Sequence, residues 1–126
     1  MTPSVPAGLR RWFILHFVID ILFAIPLLLA PVFTLSSFGW STIDPLASRL
    51  VGAALVGIGV ESFLGRTGSV ESFRTMLRLK ILWSLAAGFG IALTIFQGAP
   101  TMAWVLLLIF GSFSGVWIYY WRRLRS

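Results

Sequence analysis

The chain lacks cysteine altogether and has few charged residues, which make up 11% of its 126 residues. Without cysteine it can form no disulfide, thiolate nucleophile or thiolate metal site. A soluble domain carries roughly 25% charged residues, so a water-soluble globular fold is not expected. One histidine cannot supply a three-ligand catalytic zinc site unless several carboxylates converge, and a haem held by two histidines of one chain is impossible. We expect no metal and no cofactor.

Two glycine patterns are typical of catalytic proteins, but both lack the residues that such sites require. Residues 52–57 have the glycine spacing of a phosphate-binding loop, but Ile58 and Gly59 stand where lysine and serine or threonine are required. Residues 111–115 resemble a nucleophile elbow, but Phe113 occupies the nucleophile's place. The sequence therefore predicts a protein that is not an enzyme.

Long apolar runs dominate what is present, and 58% of the residues are hydrophobic. Four runs approach or exceed the about 20 residues that a membrane-spanning helix needs, at 12–35, 46–64, 77–96 and 102–121. Their apolarity shows no period of two, which disfavours barrel strands. We expect an all-α integral membrane protein, an antiparallel bundle of four transmembrane helices that forms one domain over residues 1–126.

The first run follows Arg10 and Arg11, so it could be a signal peptide. A cleavable apolar core is typically 7–15 residues long, whereas this run is longer and contains Asp20. We expect it to be retained, with a kink at Pro26.

The second run opens with Asp44 and Pro45, which predicts a helix capped by Asp44 with proline at its first position. Together with Arg49 and Gly52, this opening resembles one found among small four-span proteins of bacterial inner membranes. The resemblance implies no particular activity.

Basic residues set the expected orientation. Only Arg49 lies on one side of the predicted bundle, and the other side carries Arg10, Arg11, Arg66, Arg74, Arg78, Lys80, Arg122, Arg123 and Arg125. The positive-inside rule then places both termini in the cytoplasm, in a multi-pass protein of the inner (plasma) membrane. Aromatic residues agree, with Trp40 and Trp104 near the outer boundary and, near the inner one, Trp12, Trp117, Tyr119, Tyr120 and Trp121.

The net charge of +6 is therefore divided among short clusters between apolar runs. Electrostatic binding of nucleic acid needs a basic patch on a water-exposed surface instead. No nucleic-acid partner is expected.

A polar layer is predicted at one depth in the membrane. Short turns between neighbouring helices bring Asp20, Glu61, Lys80 and Tyr119 to the same level, one from each helix, and His16 lies one turn from Asp20 on the same face. Glu61 and Lys80 could instead snorkel to the headgroups. Asp20 is expected to be paired with Lys80 or His16, or protonated, since an isolated carboxylate is costly there.

On each predicted helix, small residues recur every four positions from the residue of the polar layer, so they lie on the same helix face. This pattern predicts a seam of close helix packing. The contacts could form within one chain or with another chain. The seam residues are Ala53, Gly57, Ser84, Gly88, Gly111 and Gly115.

Two functions are compatible with these patterns. The favoured one is a small non-enzymatic membrane protein that acts through helix association, either as an accessory or assembly subunit of a membrane complex or as a homo-oligomer. Its partners would be membrane lipids and other membrane subunits or itself. The alternative is a proton-coupled small transporter or channel that uses the layer of Asp20, Glu61 and Lys80.

Overall fold

The structure, a computed structural model, describes residues 4–125, which form helices joined by turns and short loops, with no strand among them. Four helices are long and apolar enough to cross a membrane, as expected of an all-α multi-pass membrane protein. The elements are α1 (Ala7–Leu29), α2 (Pro31–Ser37), α3 (Pro45–Leu64), a single 3-10 turn (Gly65–Thr67), α4 (Val70–Phe96) and α5 (Met102–Leu124).

The first predicted span, 12–35, is divided in the structure. Helix α1 ends at Leu29, and the short α2 starts at Pro31 after an extended Ala30 with φ −145°. Proline disfavours the helical conformation in the residue before it and has no N–H to donate, which explains the break. Pro26 lies inside the continuous α1.

Helix starts and turns follow from local chemistry. Asp44 accepts hydrogen bonds from the backbone N–H groups of Leu46 (2.9 Å) and Ala47 (3.2 Å), so it caps α3 ahead of Pro45. Ser69 likewise accepts from Ser72 N–H at 3.2 Å and caps α4, which therefore begins before the predicted residue 77.

The chain divides into two compact units, and the first, Ala7–Thr67, holds α1, α2 and α3. Its two long helices run in opposite directions, since Arg10 at the start of α1 donates to the carbonyl of Arg66 just past α3. The buried face of α1 comprises Leu9, Phe13, His16, Asp20, Ala24 and Leu27, and that of α3 comprises Ser48, Gly52, Leu55, Gly59 and Ser62.

The second unit holds α4 and α5. The side chain of Arg74, in the first turns of α4, donates to the carbonyl of Leu124 at the end of α5, so these helices also run in opposite directions. Gly98, with φ +95°, makes the tight turn between them. The buried residues of α4 are Phe73, Met76, Leu77, Lys80 and Ser84, and those of α5 are Ala103, Phe113, Ser114, Trp117 and Leu124.

Candidate functional site

A buried histidine–carboxylate pair lies in the first unit. His16 Nε2 is 3.3 Å from Asp20 Oδ1, and both side chains are 6% exposed. The two residues occupy successive turns of α1, so they meet on one face of that helix. The pair is an ion pair when the imidazole is protonated and a hydrogen bond when it is neutral.

Gly59 of α3 lies directly against Asp20. A Cβ atom built on Gly59 would be 2.8 Å from Asp20 Cβ, closer than side chains tolerate. Gly52 is similarly tight, since its Cβ would lie 3.1 Å from Leu28 Cγ and 3.3 Å from the Ala24 carbonyl oxygen. These two glycines let the backbones of α1 and α3 approach closely around the buried pair.

The residues predicted to face Asp20 from α3 lie elsewhere. Ala53, Gly57 and Glu61 are exposed, and a Cβ on Gly57 would meet nothing within 4 Å. Asp20 and Glu61 are therefore not brought together within this unit. Glu61 is close to the expected depth but follows Gly59 by two positions, a rotation of about 200° around a helix with 3.6 residues per turn.

The second unit places the predicted Lys80 and Ser84 on its buried face. Lys80 is 2% exposed, and its Nζ lies 4.9 Å from the centroid of the Trp117 ring. Such a contact stabilises a desolvated cation through the ring quadrupole. One turn further along α4, Ser84 Oγ accepts a hydrogen bond of 2.7 Å from Ser114.

Trp117 was expected in the inner aromatic belt, but it is fully buried. It takes the place beside Lys80 that the sequence assigned to Tyr119, which is 55% exposed. The predicted seam residues Gly111 and Gly115 also lie on the exposed side of α5, where an added Cβ would meet nothing within 4 Å. Gly88 is half-buried, with its Cβ position 4.0 Å from Leu107 Cδ1.

Arginines cap helix ends in the first unit, an arrangement that sequence analysis did not predict. Arg66 donates to the Phe63 carbonyl at 2.6 Å, with its guanidinium 3.9 Å from the Phe63 ring centroid. At the other end, Arg49 Nε donates to the Leu28 carbonyl at 3.0 Å. For Arg66 the available signal was a basic residue just past the end of α3, where carbonyls lack helical partners, whereas Arg49 is 21 residues from Leu28 and only the tertiary structure brings them together.

Comparisons with known proteins do not point to a function for this chain, so function is inferred from the chemistry of these residues. No protein-family model, curated protein or solved structure matches the chain. Among residues 4–125, no group of three or more histidine, aspartate or glutamate side chains is placed to hold a metal ion. The arrangement offers a buried His16–Asp20 pair, a buried Lys80, and outward faces of small residues on α3 and α5.

Proposed function

We propose that the protein is a non-enzymatic inner-membrane protein of four antiparallel spans, with both termini and the loop after α3 in the cytoplasm. The four apolar helices support the spans, and nine basic residues against one support the orientation. The spans form a single transmembrane domain. No cofactor or nucleic acid takes part.

The protein acts by associating with other transmembrane helices, as an accessory subunit or as a homo-oligomer. The observation that carries this proposal is the exposure of the small-residue stripes, Ala53 with Gly57 on α3 and Gly111 with Gly115 on α5. Helices associate in lipid chiefly through close packing, and small residues allow their backbones to approach. A small residue with open space beside it makes no packing contact within its own chain. It leaves room for the backbone of a helix from another chain to approach.

The rest of the outward surface suits contact with lipid or protein. Leu22 is 67% exposed and Leu108 is 71% exposed, as typical apolar examples. In the apolar windows of the four spans, only 11% to 28% of residues are buried inside the chain. Most of each helix therefore requires an apolar covering from outside.

Extraction of affinity-tagged protein in native-lipid nanodiscs, followed by identification of the chains in each particle, tests this function. Gly57→Leu and Gly115→Leu should remove the associated chains, because a large side chain holds helices apart. Gly90→Leu is the matched control, since Gly90 is also exposed with nothing within 4 Å of its Cβ position. Equal behaviour of all three variants would contradict association through the stripes.

Proton-coupled transport is the second candidate, and the buried ionisable side chains favour it. His16, Asp20 and Lys80 are 5%, 5% and 2% exposed in helices apolar enough to span a membrane. Ionisable residues inside a bilayer commonly mark ion or proton pathways. The exposure of Glu61 weakens the version in which all three of Asp20, Glu61 and Lys80 form one pathway.

Flux measurements distinguish the two functions. Protein reconstituted in liposomes under an imposed pH gradient should show no proton or cation flux above empty vesicles if the buried pair is structural. A wild-type flux that is lost in Asp20→Asn would establish transport instead. Glu61→Gln should leave such a flux unchanged, because Glu61 lies on the other side of α3 from Asp20.

A further inference from the structure

The exposed face of α3 carries an acidic group without a partner in its own chain. Glu61 continues the stripe of Ala53 and Gly57 at fourfold spacing, and all three residues are exposed. Its carboxylate makes no hydrogen bond or ion pair with any residue between 4 and 125. A carboxylate one turn inside an apolar helix is stabilised when a cation or a hydroxyl donor reaches it.

The exposed face of α5 carries groups that could supply this partner. Tyr119 continues the stripe of Gly111 and Gly115 and is 55% exposed. The guanidinium of Arg123 reaches back towards it, with Cζ 5.9 Å from the ring centroid. Arg123 is exposed and forms no ion pair with an acidic residue in the described part of the chain.

The two faces lie at matching depth in the proposed topology. Helices α3 and α5 both cross from the outer to the inner side, and Glu61 and Tyr119 each lie within about two turns of the cytoplasmic end of their helix. One helical turn before Glu61 is Gly57, and one turn before Tyr119 is Gly115, so these two glycines also lie at the same level. Glu61 of the α3 stripe and Arg123 of the α5 stripe therefore lie near the same end of the two helices, where their charges are complementary.

We propose that a second copy of this chain covers these faces, with the α3 stripe of one protomer against the α5 stripe of its neighbour. Glu61 of one copy then accepts hydrogen bonds from the Tyr119 hydroxyl and the Arg123 guanidinium of the other. The glycines allow the close approach. This inference rests on the proposed function and names the partner for it.

Charge selects this pairing over contacts between identical faces. Two α3 stripes in parallel would bring Glu61 against a second Glu61, and two α5 stripes would bring Arg123 against a second Arg123. Like charges at close range disfavour both arrangements in a medium of low dielectric constant. Only the mixed pairing joins opposite charges over small residues.

Disulfide cross-linking in membranes tests the pairing cleanly, because the chain has no cysteine of its own. One tagged copy carries Gly57→Cys and a differently tagged copy carries Gly115→Cys, and the two are co-expressed and oxidised. A cross-linked species that contains both tags is expected. Ala53→Cys with Gly111→Cys provides a second pair, one turn outward, should either glycine variant fail to insert.

Leu82→Cys paired with Gly115→Cys is the matched control, since Leu82 is 64% exposed on α4 at the same expected depth. It should not cross-link. Adding Glu61→Gln to the first pair should lower the cross-linked fraction about threefold, the scale of one interhelical polar contact in a membrane. Cross-links of Gly57→Cys to itself at equal yield would overturn the mixed pairing.

Two further outcomes separate this inference from the proposed function. If neither cysteine pair cross-links while nanodiscs still contain a different membrane protein that Gly57→Leu releases, the second copy is ruled out and the proposed function stands. If neither pair cross-links and every nanodisc contains one chain with bound phospholipid only, both proposals fail.

Discussion

At the scale of single residues, two glycines two positions apart on α3 have opposite roles. Gly59 is buried against Asp20 and cannot accept a Cβ without displacing its neighbour, whereas Gly57 is exposed with open space beside it. Gly59 thus packs against α1 within the chain, whereas Gly57 faces away from it. Substitution by alanine separates these roles, because it adds one methyl group and favours the helix.

Gly59→Ala should destabilise the folded chain by about 1–3 kcal/mol, the usual cost of overpacking. Gly57→Ala should stabilise it by about 0.5–1 kcal/mol through helix propensity. Unfolding of both variants in mixed detergent micelles, followed by circular dichroism, gives the two free energies. Equal effects would show that α3 does not pack on α1 through Gly59.

The buried hydroxyl pair of the second unit gives a second test at this scale. Ser114→Ala removes the hydrogen bond to Ser84, and we expect a loss of about 0.6 kcal/mol, typical of interhelical hydrogen bonds in membrane proteins. Ser112→Ala, at an exposed position on α5, should have no effect. A double-mutant cycle with Ser84→Ala should show coupling between the two serines, and additive free energies would argue against the bond.

At the scale of helices, the sequence predicts the level of a residue along its helix better than the direction in which that residue faces around the helix. Short turns fix which residues of neighbouring helices lie level, and the observed partners of Asp20 and Lys80 lie within two positions of the expected ones. Rotation depends on which side chains fit the partner helix. Small residues recur on several faces of α3, so spacing alone could not distinguish Gly59 from Gly57.

The break after α1 shows a different limit of prediction. The predicted span was bounded by hydrophobicity alone. The segment around Ala30 is still apolar where the helix ends, so hydrophobicity does not reveal that end. The proline at 31 was the signal for that end. Caps were more predictable, because Asp44 before Pro45 is a local pattern whose hydrogen bonds involve only the next residues.

The cap of α3 can be tested by matched substitutions. Asp44→Ala should lower stability by about 1 kcal/mol, because two backbone N–H groups lose their acceptor. Asp44→Asn keeps an oxygen in place and should be nearly neutral. Thermal unfolding in one detergent compares the variants, and equal losses would point to the charge of Asp44 rather than its capping oxygen.

At the scale of the whole molecule, orientation rests on the distribution of basic residues alone. Thr67→Cys and Ser4→Cys should resist an impermeant thiol reagent applied to intact cells, whereas Ser41→Cys should react. All three positions are exposed in the structure, so permeabilised cells should label each of them. Reaction of both Thr67→Cys and Ser41→Cys in intact cells would contradict the proposed topology.

The number of chains in each membrane particle tests helix association most directly. Native mass spectrometry of the protein, extracted with its own lipids and without cross-linking, reports that number. We predict particles that contain more than one polypeptide, at an integer multiple of the 14.0 kDa chain if the partner is a second copy. A single chain with lipid in every particle would contradict the proposal that this protein works through association of its helices.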